Sequence, residues 1–209
     1  MHLACTDGVS MINLNERVRT LFAHDIEGKI ALVDVLSDCI AQAGQRLVDC
    51  LLNDGKIFIG GHGGSAANCL HFSTAMLHCF EVERPSLPVI NLAGNGAAAT
   101  AMTDNGHNDQ VFAQQIQALG HGNDVVIILT TAGRSKAMNN VINAAHDKKM
   151  RVIALTGRDG GVLGNQLNAH DIELRIPGDS SARIREMHLF ILHCFCDVID
   201  RSLFGCGTV

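Results

Sequence analysis

The chain lacks tryptophan and tyrosine altogether, has only 3 prolines among 209 residues, and is only 18% charged. Its 47% hydrophobic content nevertheless makes it a folding chain, because disorder needs both low hydrophobicity and high charge. Nowhere do lysines and arginines cluster, and the formal net charge is −5. A phosphate backbone is gripped by clustered cations, so direct nucleic-acid binding is excluded as the main activity. No uninterrupted apolar run approaches the roughly 18 residues of a membrane span. The strongest candidate, around residues 187–198, is broken by His188, His193 and Asp197. Residues 1–10 carry neither a basic region nor a long apolar stretch, so no secretory signal is expected there.

Eight cysteines stand at positions 5, 39, 50, 69, 79, 194, 196 and 206, and no two form a C-x-x-C pair. Most fall inside apolar helical patterns, which points to reduced, buried thiols and a cytoplasmic setting. Cys194 and Cys196 lie two apart on a predicted helix and therefore face different directions. The length suits one domain with a substantial core. Residues 1–13 read as a loose extension, with Met11 an alternative start, and residues 14–209 as a single domain.

From Leu14 to Leu52 the spacing predicts two helical stretches, with Ile40, Ala43, Leu47 and Leu51 on one face. Asn53-Asp54-Gly55 breaks them. Short apolar runs then alternate with amphipathic segments. The runs are 56–60, 87–92, 124–130, 151–155 and 172–176; helices are predicted near 65–80, 108–119, 134–147 and 182–204. Continuous Val/Ile/Leu runs separated by helices imply a doubly wound parallel sheet of five strands, preceded by a helical segment. Such sheets bind ligands beyond the carboxyl ends of their strands.

Two turns at such ends share a chemistry. The first is "GGHGGS", Gly60–Ser65, and the second "TTAGRS", Thr130–Ser135. Glycines admit a ligand close to the backbone, and the following helix offers free N–H groups and a positive dipole end. Hydroxyls add donors. Together they suit a phosphate ester, although Ser65 and Ser135 fit equally well as helix N-caps. A dinucleotide fingerprint fails for want of an acidic residue after the second strand, and a Walker loop fails for want of lysine.

The stretches "GGHGGSAANCLHF", "ERPSLP", "TTAGRS", "VIALTGRDGG", "LRIP" and "SARIREMH" resemble the sugar-isomerase (SIS) domain proteins, in particular their phosphoheptose isomerase group. The likeness covers Leu14 to Phe204 in order. It implies a flavodoxin-like fold and a homotetramer with a phosphosugar site at subunit interfaces. It also implies a substrate-binding set of His62, Gly63, Gly64, Ser65, Thr130, Thr131, Ser135 and Arg185, with Asp104 near the sugar.

Within that group, "ERPSLP", "QALGH" and "CDVIDRSLF" most resemble a non-catalytic branch that associates with the replication initiator DnaA. That likeness implies a partner contact at Leu203 and Phe204, for which ordinary helix packing is the alternative. The enzymatic members place a Glu four residues after the helix His; after His71 that position is Ala75. A Gln of the last helix corresponds to Arg185, a nearby Asp to Ala182, and only the second His survives, as His193. The zinc ligands of the enzymes sit at these same positions, so His71 and His193 are a weak metal pair to which His62 could add a donor. The expectation is therefore a phosphosugar-binding protein that acts in replication initiation by protein contact, with no cofactor required. The alternative is an isomerase of sedoheptulose 7-phosphate for lipopolysaccharide heptose, with His193 or Asp104 replacing the missing base.

Overall fold

The computed structural model describes residues 12–205. Most of the expected N-terminal extension, with Cys5 and Cys206, therefore lies outside the described residues. The chain divides into two compact units, Met1–Val35 and Leu36–Val209. The first, where described, is the N-terminal portion of α1 (Leu14–Leu52), a single helix of 39 residues rather than two stretches. Continuity has a simple cause: no proline and only Gly28 and Gly44 interrupt these residues, and isolated glycines weaken a helix without ending it. Asn13 Oδ1 accepts from Glu16 N at 3.2 Å at its start. At its end Asp54 turns left-handed (φ 57), and Gly55 N donates to Cys50 O.

The second unit holds the sheet. Strands β1 (Ile57–Gly61), β2 (Val89–Asn91), β3 (Val125–Leu129), β4 (Arg151–Gly157) and β5 (Ile172–Ile176) run parallel in the order β2-β1-β3-β4-β5. Helices α2 (Gly64–Leu77), α3 (Gly96–Asp104), α4 (Val111–Leu119), α5 (Lys136–Asp147) and α6 (Ser181–Phe204) complete it, with a 3-10 turn at Leu163–Gln166. This is the doubly wound sheet that the apolar runs predicted. Helix α3 was not expected from the spacing. It buries none of its residues, so it has no apolar periodicity to read, although Asn95 caps it through Ala98 N at 3.0 Å.

Successive strand residues face opposite sides, and both sides are covered. Phe58, Val126, Ile128 and Val152 pack with Ile116, Met138 and Val141 of α4 and α5. On the other side, the fully buried Ile57, Ile59, Ile127 and Leu155 lie beneath α2 and α6. Of the described cysteines, Cys50, Cys69 and Cys196 are buried and all six are free. Burial pushes the Cys69 and Cys196 thiols up to about 12, which leaves them un-ionised and unreactive.

The motif "ERPSLP" has a structural role. Arg84 donates to the carbonyls of Ala75 and Met76 at the end of α2, and to Asp200 Oδ1 of α6 at 2.6 Å. Both partners are almost wholly buried. Asp124 ties the strand starts in a similar way, accepting from Lys56 N, Lys56 Nζ and His121 N.

His188 supplies a pH-sensitive element. It is fully buried on α6, and its Nε2 donates to Thr156 O at 2.9 Å. Nδ1 has no partner. Burial drops its pKa from 6.5 to about 4. The unfolded chain therefore binds a proton that the folded chain refuses. Stability from this group is complete above pH 6.5 and falls by about 3 kcal/mol as pH drops to 4. Urea unfolding across that window is expected to show a shallower pH slope in His188→Gln than in the wild type.

Candidate functional site

Strand order places the site. The chain leaves β1 toward β2 on one side and reaches β3 on the other, so β1 and β3 flank the topological switch point, where open α/β sheets bind ligands. Gly61 and Leu129 are register partners at the carboxyl ends of these strands. The turns that follow, 62–65 and 130–135, thus emerge side by side. Two motifs separated by about a third of the chain meet as one hydroxyl-lined cradle.

Gly63 enters α2 at φ 56, ψ −124, a conformation that an L side chain rarely adopts. Gly64 is required by a close approach: a Cβ there would lie 2.8 Å from Arg185 Cδ and Nε. The Arg185 side chain therefore lies across the first turn of α2, adding a cation to the positive helix end. Asn68 Nδ2 donates to Arg185 O at 2.9 Å and holds that part of α6 in place. Ser65 is buried in the first turn of α2.

The second turn is pre-formed. Thr130 Oγ1 accepts from Gly133 N at 3.1 Å, and Ser135 Oγ accepts from Met138 N at 3.3 Å as the N-cap of α5. The capping reading of Ser135 thus holds structurally. It leaves the ligand role intact, because a hydroxyl that accepts one hydrogen bond still has its own O–H to donate. Thr131 is half-buried between them. His62 stacks on Phe112 of α4 with ring centroids 4.9 Å apart. Desolvation of the packed ring lowers its pKa, so the imidazole is neutral at pH 7. Phe112 had no local signal in the sequence.

Gly64, Asn68 and His71 follow one stripe of α2 at four- and three-residue spacing. On α6 the matching residues are Arg185 and His193. The helices advance together from the Gly64–Arg185 contact to the His71–His193 contact, so they run parallel. His71 Nε2 and His193 Nε2 stand 2.9 Å apart, with Phe80 against the His193 ring at 5.4 Å. Burial lowers the His193 pKa, the charge of His71 lowers it further, and Glu81 opposes both. Ala75, one turn beyond His71, is a buried methyl group.

As a zinc site this pair is short of donors. Zinc takes three or four protein ligands, and no group of three His, Cys, Asp or Glu that could hold a metal occurs among the described residues. A methyl at Ala75 and a cation at Arg185 occupy the positions where the resemblance would put the missing ligands. His62 packs on Phe112 instead of joining the pair.

Asp104 lies at the exposed end of α3, lining an open cavity of about 540 Å³ with Ala99, Thr100 and Thr103. Leu203 is half-buried and Phe204 exposed in the last turn of α6, where the Arg84 guanidinium lies 5.9 Å from the Phe204 ring centre.

Comparison with known proteins bears directly on this cradle. A family model for the SIS domain matches residues 22–157. A phosphoheptose isomerase of Coxiella burnetii (strain Dugway 5J108-111) is 46% identical over 92% of the chain and 96% of its own length. That of Methylococcus capsulatus is 44% identical over 93% of the chain and its full length. Among solved structures, a phosphoheptose isomerase from Francisella tularensis superposes with a TM-score of 0.87 at 42% identity, covering 91% of this chain and 100% of that one. The Neisseria gonorrhoeae phosphoheptose isomerase gives a TM-score of 0.85 at 38% identity, covering 90% and 99%. These near-full-length matches overturn the expectation of a non-catalytic protein acting in replication initiation through DnaA. That expectation had rested on Ala75, Ala182 and Arg185 standing where the enzymes have other residues, and on the stretches "ERPSLP", "QALGH" and "CDVIDRSLF"; these departures do not separate the chain from relatives named as isomerases. By family model, sequence and fold alike, the chain belongs to the SIS-domain family and, within it, to the phosphoheptose isomerase group.

Proposed function

We propose that the protein is a sugar-phosphate isomerase that converts sedoheptulose 7-phosphate to D-glycero-D-manno-heptose 7-phosphate. The observation that carries this reading is the paired imidazole contact of 2.9 Å, on the same α2 stripe as the phosphate cradle. Seven residues separate Gly64 from His71, which places the imidazoles about 10 Å along the helix axis. A phosphate held at the helix N-terminus leaves room for an extended sugar chain between the two.

Ser65, Thr130, Thr131 and Ser135 donate to the phosphate oxygens, and Arg185 with the α2 dipole balances its charge. Isomerisation removes a proton from C1 of the ketose and returns one to C2. Meanwhile the C2 carbonyl oxygen gains a proton and the C1 hydroxyl loses one. That sequence needs a base and an acid side by side. Two imidazoles whose Nε2 atoms face each other at 2.9 Å share a proton between them, so one nitrogen is placed to accept and the other to donate. The depressed pKa of His193 keeps it in the accepting form near neutrality. Ala75 cannot serve, and the pair takes the place of the carboxylate.

The test is turnover of sedoheptulose 7-phosphate in heavy water. Aldose product carrying deuterium at C2 is expected, because a proton on imidazole exchanges with solvent. Absence of product from the wild-type protein would overturn the reading.

Assembly as a homotetramer in the cytoplasm is part of this proposal. In α1 the residues Leu14, Val18, Phe22, Ile26, Ile30 and Val33 repeat at four- and three-residue spacing, and each is more than half exposed. A stripe of this length is the mark of a protein interface. The free thiols fit a reducing compartment, and no helix is long and apolar enough to cross a membrane. Phe22→Glu with Ile26→Glu is expected to lower the solution mass, measured by light scattering, to one quarter of the wild-type value. An unchanged mass would remove α1 from the interface.

A further inference from the structure

The cradle occupies one end of the sheet, and a second cavity opens at the other. It measures about 230 Å³ and is lined by Arg46, Asp49 and Asn53 from the end of α1, Asn123 and Val125 at the start of β3, and Arg151 at the start of β4. Val125 and Leu129 bound the same strand, so the cavity and the cradle are separated by the length of β3, about 13 Å.

Two guanidinium groups share this space. Arg46 is anchored by donation from Nη1 to His170 O, which leaves its other N–H groups available. Arg151 N donates to Asp124 O at 3.3 Å, and the residue lines the same space from an exposed position. Of the nearby carboxylates Asp49 itself lines the cavity, and both it and Asp171 accept hydrogen bonds from other groups. Asp171 accepts from His146, Val152 N and Asn168 N, and Asp49 Oδ1 accepts from Gln45. Two of the carbonyls at the end of α1, which would repel an anion, are occupied. Asn53 N and Nδ2 donate to Asp49 O, and Gly55 N donates to Cys50 O. Burial lowers the Arg46 pKa, the charge of Arg151 lowers it further, and Asp171 and Asp49 offset only part of this. Like charges held together in a concave, amide-rimmed space are stabilised by an anion between them.

We propose that this cavity is a second anion site, separate from the cradle, that binds a phosphate group between Arg46 and Arg151 with the side-chain amides of Asn53 and Asn123 at its rim. Guanidinium forks match the tetrahedral oxygens of phosphate in a bidentate manner. The same chemistry is offered by inorganic phosphate and by the head of a small phosphomonoester, and the volume admits either.

The experiment is amide-resolved NMR of the intact protein at constant ionic strength, titrated separately with inorganic phosphate, glycerol 3-phosphate and chloride. Saturable shifts at Asn53, Asn123 and Arg151 are expected with the phosphates and not with chloride. Tighter binding of glycerol 3-phosphate than of inorganic phosphate would assign the site to an ester; the reverse order would assign it to the free ion. Arg151→Gln, at an exposed position, is expected to weaken saturation there about tenfold while Ser65 and Thr131 respond as in the wild type. Shifts that stay linear through the millimolar range, that chloride reproduces, or that survive Arg151→Gln unchanged would overturn the proposal.

Discussion

His193→Ala is expected to lower kcat for sedoheptulose 7-phosphate by about 10²- to 10⁴-fold, the range for loss of a positioned acid–base group. KM should change little if the phosphate binds, as proposed, at the N-terminus of α2 about 10 Å away. His71→Ala should cost a similar factor. The informative variant is the double one. If the two Nε2 atoms work as a unit across their 2.9 Å contact, removing both should cost little more than removing either. Fully multiplicative losses would mean that each imidazole acts alone. A single-mutant kcat within threefold of the wild type would show that proton transfer lies elsewhere.

Arg84→Ala is expected to destabilise the fold by about 3–5 kcal/mol, the cost of stranding one half of a buried ion pair. The Asp200 carboxylate would lose its partner in a site where its side chain is only 7% exposed. The carbonyls of Ala75 and Met76 at the end of α2 would lose their donors as well. Replacing both partners by apolar residues of similar volume, Arg84→Met with Asp200→Leu, should recover much of the loss, since the pair's attraction is largely offset by its desolvation. Denaturant unfolding of the two variants against the wild type measures this. A single-mutant loss below about 1 kcal/mol, the range of an exposed pair, would mean that water reaches Asp200 once Arg84 is gone.

Local pattern carried much of the fold. Val125–Leu129 is legible because a strand buried on both faces must be apolar throughout, and Ile172–Ile176, at the sheet edge, because its apolar residues alternate with Glu173 and Arg175. The glycine turn at 60–65 is legible because few other sequences let a backbone turn so sharply between strand and helix. Helix α3 was hidden because a helix with no buried face has no period to detect. The two stretches expected before Leu52 proved to be one helix, since the intervening glycine lowers helix propensity without breaking it. The DnaA reading failed against near-full-length relatives named phosphoheptose isomerase. Three short stretches and the changes at Ala75, Ala182 and Arg185 had outweighed a likeness that runs through the whole chain. The resemblance paired His71 with His193, and the structure adds the 2.9 Å distance between their Nε2 atoms.

The sequence by itself determined the parallel sheet, the two hydroxyl-rich turns and the cytoplasm-compatible thiols, because each follows from residues close together along the chain. Only the tertiary structure decided that β1 and β3 are neighbours, that Arg185 lies across Gly64, and that the Nε2 atoms of His71 and His193 stand 2.9 Å apart. Those relations depend on how distant segments pack, and the strand order and the parallel register of α2 with α6 settle them.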